Sequence, residues 1–110
     1  MSFNQIYEYS RAGLLDGMEV ISEKPRKHDA QRLRLAHDLG IAAIGSSDAH
    51  KAPDVGNVAT RIPGKLGSVK EVIYQIKRRN CEPFVPKVPG YLQEITERAG
   101  LIYERDRLAA

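Results

Sequence analysis

Apolar positions recur along this chain at two spacings, and the switches between them predict its elements. Residues 2–12 read as a helix with Phe3, Ile6 and Tyr7 on one side. Gly13 ends it, because glycine accepts the left-handed backbone that closes a helix. Asp16-Gly17 signals a turn, and Met18 to Ser22 follows as a short strand of buried type. Charges around Pro25 mark a loop. Ala30, Leu33, Ala36 and Leu39 then form the apolar stripe of a helix over 29–39, with Arg32, Arg34 and Asp38 turned to water. His28 or Asp29 caps that helix and Gly40 ends it. Ile41 to Gly45 is a second apolar run. Asn57 to Ile62 predicts a third strand, broken by Pro63-Gly64.

The clearest element comes next. Val69, Val72, Ile73 and Ile76 stand at i, i+3, i+4 and i+7, the spacing of one helix face. Ser68 and Glu71 predict a capping box at its start, and Lys77, Arg78 and Arg79 fall in its last turn, where the helix dipole favours cations. Glu82 to Val85 is a short extended piece. Leu92, Ile95, Ala99 and Ile102 predict an amphipathic tail helix, interrupted or bent at Gly100, with a Glu94–Arg98 pair. Helices alternating with strands imply an α/β fold of mostly parallel short strands covered by helices. Such a small sheet leaves edges that seek a partner.

Length and composition narrow the class. The 110 residues, 12.3 kDa, suffice for one domain. No apolar stretch approaches the ~20 residues that cross a bilayer, and the N-terminal residues lack the apolar core of a signal peptide. Cys81 is the one cysteine, which excludes an intrachain disulfide and a cysteine-rich zinc module and fits a reducing, cytoplasmic setting. A net charge of +3 is a mild excess that favours an anionic ligand such as a phosphate ester. The excess is small and mixed along the chain, and seven aromatics without Trp make a poor stacking surface, so nucleic acid is disfavoured.

The stretch that carries chemistry is Ile44-Gly45-Ser46-Ser47-Asp48-Ala49-His50, at the end of a predicted buried strand, where α/β folds place ligands. Residues two apart in an extended segment point to the same side, so Asp48 and His50 can converge on one metal ion. A carboxylate with an imidazole suits zinc, manganese or iron. Ser46 and Ser47 can offer hydroxyl or backbone N–H groups to a phosphate oxygen, and Lys51, Arg61 and Lys65 are cations that either attract phosphate or are simply solvated. The bland alternative for D-x-H is a solvated Asp beside a loop His. A buried Glu19 would be costly in its strand, so it faces the site, pairs with a base or lies at an open edge. His28 reads as a cap neighbour, His37 as a helix-surface residue, and Glu23 as a solvated loop carboxylate. A hydrolytic metal site takes three or more protein ligands per ion, and no H-x-H occurs anywhere, so on residue count this chain does not build a multinuclear centre.

Asp16-Gly17-Met18-Glu19-Val20-Ile21, the helix ending in Leu39-Gly40, the Gly45-Ser46-Ser47-Asp48-Ala49-His50 string, Val55-Gly56 and Thr60 together resemble the C-terminal part of PHP (polymerase and histidinol phosphatase) domains. The resemblance covers roughly residues 13–86. It implies that 1–86 is the C-terminal portion of a distorted βα barrel, here a partial one, with 87–110 as a helical tail. It also implies phosphoester hydrolysis on a cluster of two or three metal ions, with a small phosphorylated substrate. The family's last motif supplies an Asp and a His to the metals, a role that passes to Asp48 and His50 and leaves Ser46, Ser47, Glu19 and Lys51 beside phosphate or substrate. The family's H-x-H, middle Glu and other His ligands have no counterpart here, so the expectation is a fragment completed by a missing N-terminal half. The competing expectation is a non-catalytic α/β module that associates with itself or with another protein.

Overall fold

The computed structural model describes residues 2–108. Helix α1 spans Phe3–Arg11 and begins with a full capping box: the Ser2 Oγ accepts from the Gln5 amide at 3.2 Å, and the Gln5 Oε1 accepts from the Ser2 amide at 2.8 Å. It ends at Gly13, whose φ of +73° lets the Leu14 amide reach back to the Tyr9 carbonyl at 3.0 Å.

Strand β1 (Gly17–Ser22), helix α2 (Asp29–Leu39) and strand β2 (Ala42–Ser46) form a βαβ unit. The strands pair in parallel from Gly17 opposite Ala42 to Ser22 opposite Ser46, with a register irregularity between Glu19 and Ile21. Gly17 lets the strands approach closely at the first of these positions: a Cβ there would lie 3.2 Å from the Ala42 carbonyl oxygen and 2.8 Å from the Ile44 Cδ1, the movable end of a side chain. Helix α2 buries Ala30 and Ala36, two members of the expected stripe, while Leu33 and Leu39 are half-buried.

After a short 3-10 turn at Ala52–Asp54 come strand β3 (Ala59–Arg61), helix α3 (Val69–Lys77) and strand β4 (Glu82–Phe84). Here the structure corrects the expectation of one mostly parallel sheet. β3 and β4 pair antiparallel, Thr60 opposite Pro83, as a second two-stranded sheet. Both strands are only three residues long, and Pro83 has no N–H to offer a further ladder. The second sheet instead packs on β2 at Gly45. A Cβ on that glycine would lie 2.6 Å from the Ala59 carbonyl oxygen and 3.1 Å from the Pro83 Cβ. The Thr60 hydroxyl completes the junction, donating to the Gly45 carbonyl at 2.7 Å and accepting from its amide at 3.0 Å.

Helix α4 (Tyr91–Arg98) closes the other side of α2. Its Ile95 is fully buried with Ile21, Val20 and Val58 in one core. Burying a side chain of this size stabilises by about 1.5–3 kcal/mol. The helix ends before Gly100, whose φ is +75°, so the tail is interrupted at that glycine, and Ile102 beyond it is 88% exposed. The expected Glu94–Arg98 pair forms at 3.8 Å. The whole is an α/β arrangement of short strands and helices, and the described strands do not close into a barrel. No helix among the described residues is long and apolar enough to cross a membrane.

Candidate functional site

The D-x-H segment leaves the C-terminal end of β2, at Ser46, as the buried strand pattern implies. Its backbone is held to the neighbouring strand end: the Glu23 amide donates to the Ser46 carbonyl at 2.8 Å. Asp48 then adopts a φ of +47°, a left-handed conformation that Asp tolerates better than most side chains. The chain turns there, with the Asp48 amide 3.4 Å from the Ser46 hydroxyl oxygen.

That turn determines the chemistry of His50. Its Nδ1 lies 2.9 Å from the Asp48 carbonyl oxygen. A carbonyl only accepts, so Nδ1 carries a proton, and in the neutral ring Nε2 is the nitrogen with the lone pair. Imidazoles that ligate metals are commonly oriented by such an Nδ1–H donation to a carbonyl. Both Asp48 and His50 are solvent-exposed, and Ser46 and Ser47 are half-buried. Lys51 is exposed and precedes the 3-10 turn.

Asp48 also lines a cleft with Gly17, Glu19, Ser22, Glu23, Arg26 and Arg32. Glu19 is thus an exposed strand residue facing the cleft, which removes the desolvation problem that its sequence position raised. Arg26 pairs with Glu23 at 2.8 Å. Arg32 sits 3.6 Å from the buried Asp29. The two arginines and Glu23 are cleft residues that the sequence left as solvated charges. Only the register of β1 and the start of α2 bring them together.

Asp29 does more than begin a helix. Its side chain is fully buried, and Oδ2 accepts from the Arg26 amide at 2.9 Å and from the Tyr91 hydroxyl at 2.7 Å. Oδ1 has no hydrogen-bond partner and faces Arg32. Burial, then the hydrogen bond to the Asp29 carboxylate, hold the Tyr91 hydroxyl well above the ordinary phenol range. His28 is the N-cap residue of α2 and makes no side-chain cap bond. His37 is exposed beside Asp38 at 3.4 Å. Arg61 pairs with Glu82 at 3.6 Å and covers the Phe84 ring. Cys81 is buried, and that burial raises its thiol pKa.

Among the described residues, no three His, Cys, Asp or Glu side chains come together as a metal-binding group. The donor types at 48 and 50 suit a divalent ion, but the set is short of the three ligands that a catalytic centre uses. No curated protein and no solved structure matches the chain significantly. The pattern of the PHP-associated family matches residues 29–81, a span that holds α2, β2, the whole G-S-S-D-A-H string, β3 and α3. The resemblance to the C-terminal part of PHP domains therefore stands on this segment, which is similar to the PHP-associated family.

Proposed function

We propose that this chain is the C-terminal portion of a PHP-type metal-dependent phosphoesterase, contributing Asp48 and His50 to a divalent-metal centre that further ligands from outside this chain complete. The observation that carries the reading is the Nδ1–H donation of His50 to the Asp48 carbonyl, which leaves Nε2 as the ligating nitrogen two residues from the Asp48 carboxylate. The strand-end position of the pair and the family match over 29–81 support it. Zinc, manganese or iron suits this donor set. A divalent ion in such a centre supplies Lewis-acid polarisation of a phosphoester oxygen. The chain's own residues would do the positioning. Ser46 and Ser47 offer donors at the lip of β2, Lys51 adds positive charge, and Glu19 and Glu23 with Arg26 and Arg32 shape the cleft that receives a small phosphorylated substrate. In this reading β1, α2 and β2 are βα units of a partial barrel in a cytoplasmic enzyme.

Calorimetric titration of Mn²⁺ or Zn²⁺ into the chain tests the ligand pair without requiring hydrolysis. The expected result is weak one-site binding that His50→Ala and Asp48→Asn each weaken about tenfold or more. Identical isotherms for the parent chain and both variants would overturn the assignment.

A further inference from the structure

The tail after α4 folds back over the molecule. The Leu101 amide donates to the Thr96 carbonyl at 3.0 Å, but beyond it residues 102–107 make no backbone–backbone hydrogen bond among the described residues. Their anchor is a side chain. The Arg107 guanidinium donates to the carbonyls of Arg79, at 3.0 Å, and of Cys81. Held in this way, the tail leaves a cavity of about 630 Å³ between itself, α2, α4 and the corner where α3 meets β4. Small-molecule sites commonly enclose about 300–1,000 Å³. The floor of the cavity is apolar, made by Leu33, Ala36, Ile41, Ala43, Pro83 and Leu92. Among the described residues, it shares no lining side chain with the Asp48 cleft.

The rim is charged. Arg78, Arg79 and Arg107 stand there against Glu82 and Glu104. Glu82 is already matched by Arg61 at 3.6 Å. Among the described residues, none of the three arginines makes an ion pair. The charges next to the rim do not cancel them, because Arg105 and Asp106 offset each other and Arg34 holds Asp38 at 3.1 Å. With Glu82 taken by Arg61, three arginines face Glu104, and the rim keeps a positive excess. Arg79 reaches across toward α2, its Nη1 coming within 3.8 Å of the place that a Cβ on Gly40 would take. A positive rim over an apolar floor is complementary to a molecule with an apolar body and an acidic end.

We infer that this cavity binds a small apolar molecule carrying one acidic group. The apolar body lies on Leu33, Ile41 and Leu92, where it displaces water from a surface that offers that water no hydrogen bonds. The acidic group meets Arg78 and Arg79, whose planar guanidinium forks bind paired oxygens. The tail is one wall of the site and Arg107 is its latch. A small hydrophilic phosphate ester, the substrate class given to the Asp48 cleft, would leave this apolar floor unsatisfied. The inference uses neither Asp48 nor His50 and does not depend on the metal reading.

Fluorescence titration of the full chain tests it with two dyes, anilinonaphthalene sulfonate and the uncharged phenylnaphthylamine, which has the same rings without the acid. The folded parent is expected to give a saturable, one-site rise with the sulfonate dye and to bind the neutral dye about tenfold more weakly. Arg78→Gln/Arg79→Gln removes the cations that meet the acid, and Arg107→Gln releases the tail wall. Each is expected to raise the dissociation constant of the sulfonate dye about tenfold or more. Lys70→Gln, a cation of α3 outside the cavity, is expected to leave it unchanged. All four substituted residues are exposed, and urea midpoints establish that each variant is folded. A folded parent without a saturable rise, as when a second copy or another chain fills the cavity, would overturn the inference. Equal affinity for the two dyes would do the same. So would a response to Lys70→Gln without one to Arg107→Gln, which places the dye on the exposed face of α3.

Discussion

Gly45 shows how much one residue decides. In the sequence it is the last member of an apolar run and the first of the G-S-S-D-A-H string. In the structure it lies inside β2, and its bare Cα is the surface on which β3 and β4 rest. Gly45→Ala would push a methyl group to 2.6 Å from the Ala59 carbonyl oxygen, a backbone atom that cannot swing aside. The expected cost is about 1–3 kcal/mol, read as a lower midpoint in urea denaturation. Asp48 and His50 illustrate the complementary point. Their types and two-residue spacing were legible without coordinates, but the extended geometry that first suggested convergence is not what the chain adopts. The positive φ at Asp48 replaces it with a turn, and the His50 ring is oriented by a backbone carbonyl that no residue pattern reveals.

Among the elements, the helices were the most legible and the strands the least. A helix satisfies its backbone locally, so Gly13, Gly40 and Gly100 marked helix ends where each now has a positive φ. The capping box expected for α3 forms by half: the Ser68 hydroxyl accepts from the Glu71 amide at 3.3 Å, but the Glu71 carboxylate accepts from the Gly67 amide at 2.7 Å, one residue beyond the box. Strand partners are non-local, and nothing in Asn57 to Ile62 announced an antiparallel mate at Glu82–Phe84. The bond between Tyr91 and Asp29 is non-local too, and it ties α4 to the start of α2. Tyr91→Phe would strip a donor from a buried carboxylate that already has one oxygen without a hydrogen bond, costing about 1–3 kcal/mol. Because the folded state holds the phenol above its ordinary value of about 10, it favours the protonated form. That stabilisation is fully present below the ordinary value and declines as pH rises from there toward the raised folded value. Thermal melts above about pH 10 should show a falling midpoint, and Tyr91→Phe should flatten that slope.

For the molecule as a whole, the two small sheets and α4 share one core, with Val20 and Ile21 of β1, Val58 before β3 and Ile95 of α4 in the same cluster. A shared core implies one cooperative transition. Cys81 provides an internal reporter, since it is buried between α3 and β4 and burial disfavours its thiolate. Its reaction with an aromatic disulfide reagent should be slow in the native protein and rise with the same urea midpoint as the loss of helical dichroism. Thiol exposure well before that midpoint would show that the β3–β4 sheet opens separately.

What the chain determined by itself was local: where helices begin and end, which faces are apolar, the α/β class, and the D-G-x-E-V and G-S-S-D-A-H strings that together carry the PHP resemblance. Those features depend on contacts a few residues apart, and a linear pattern records them. The tertiary structure alone decided that β3 and β4 pair antiparallel across Gly45 and that Glu19, Arg26, Arg32 and Asp48 share a cleft. It alone left α3 with no buried residue and set its Lys77 beside Asp16. These are properties of surfaces meeting across dozens of residues, and their free energy appears only when the backbone has brought those surfaces together.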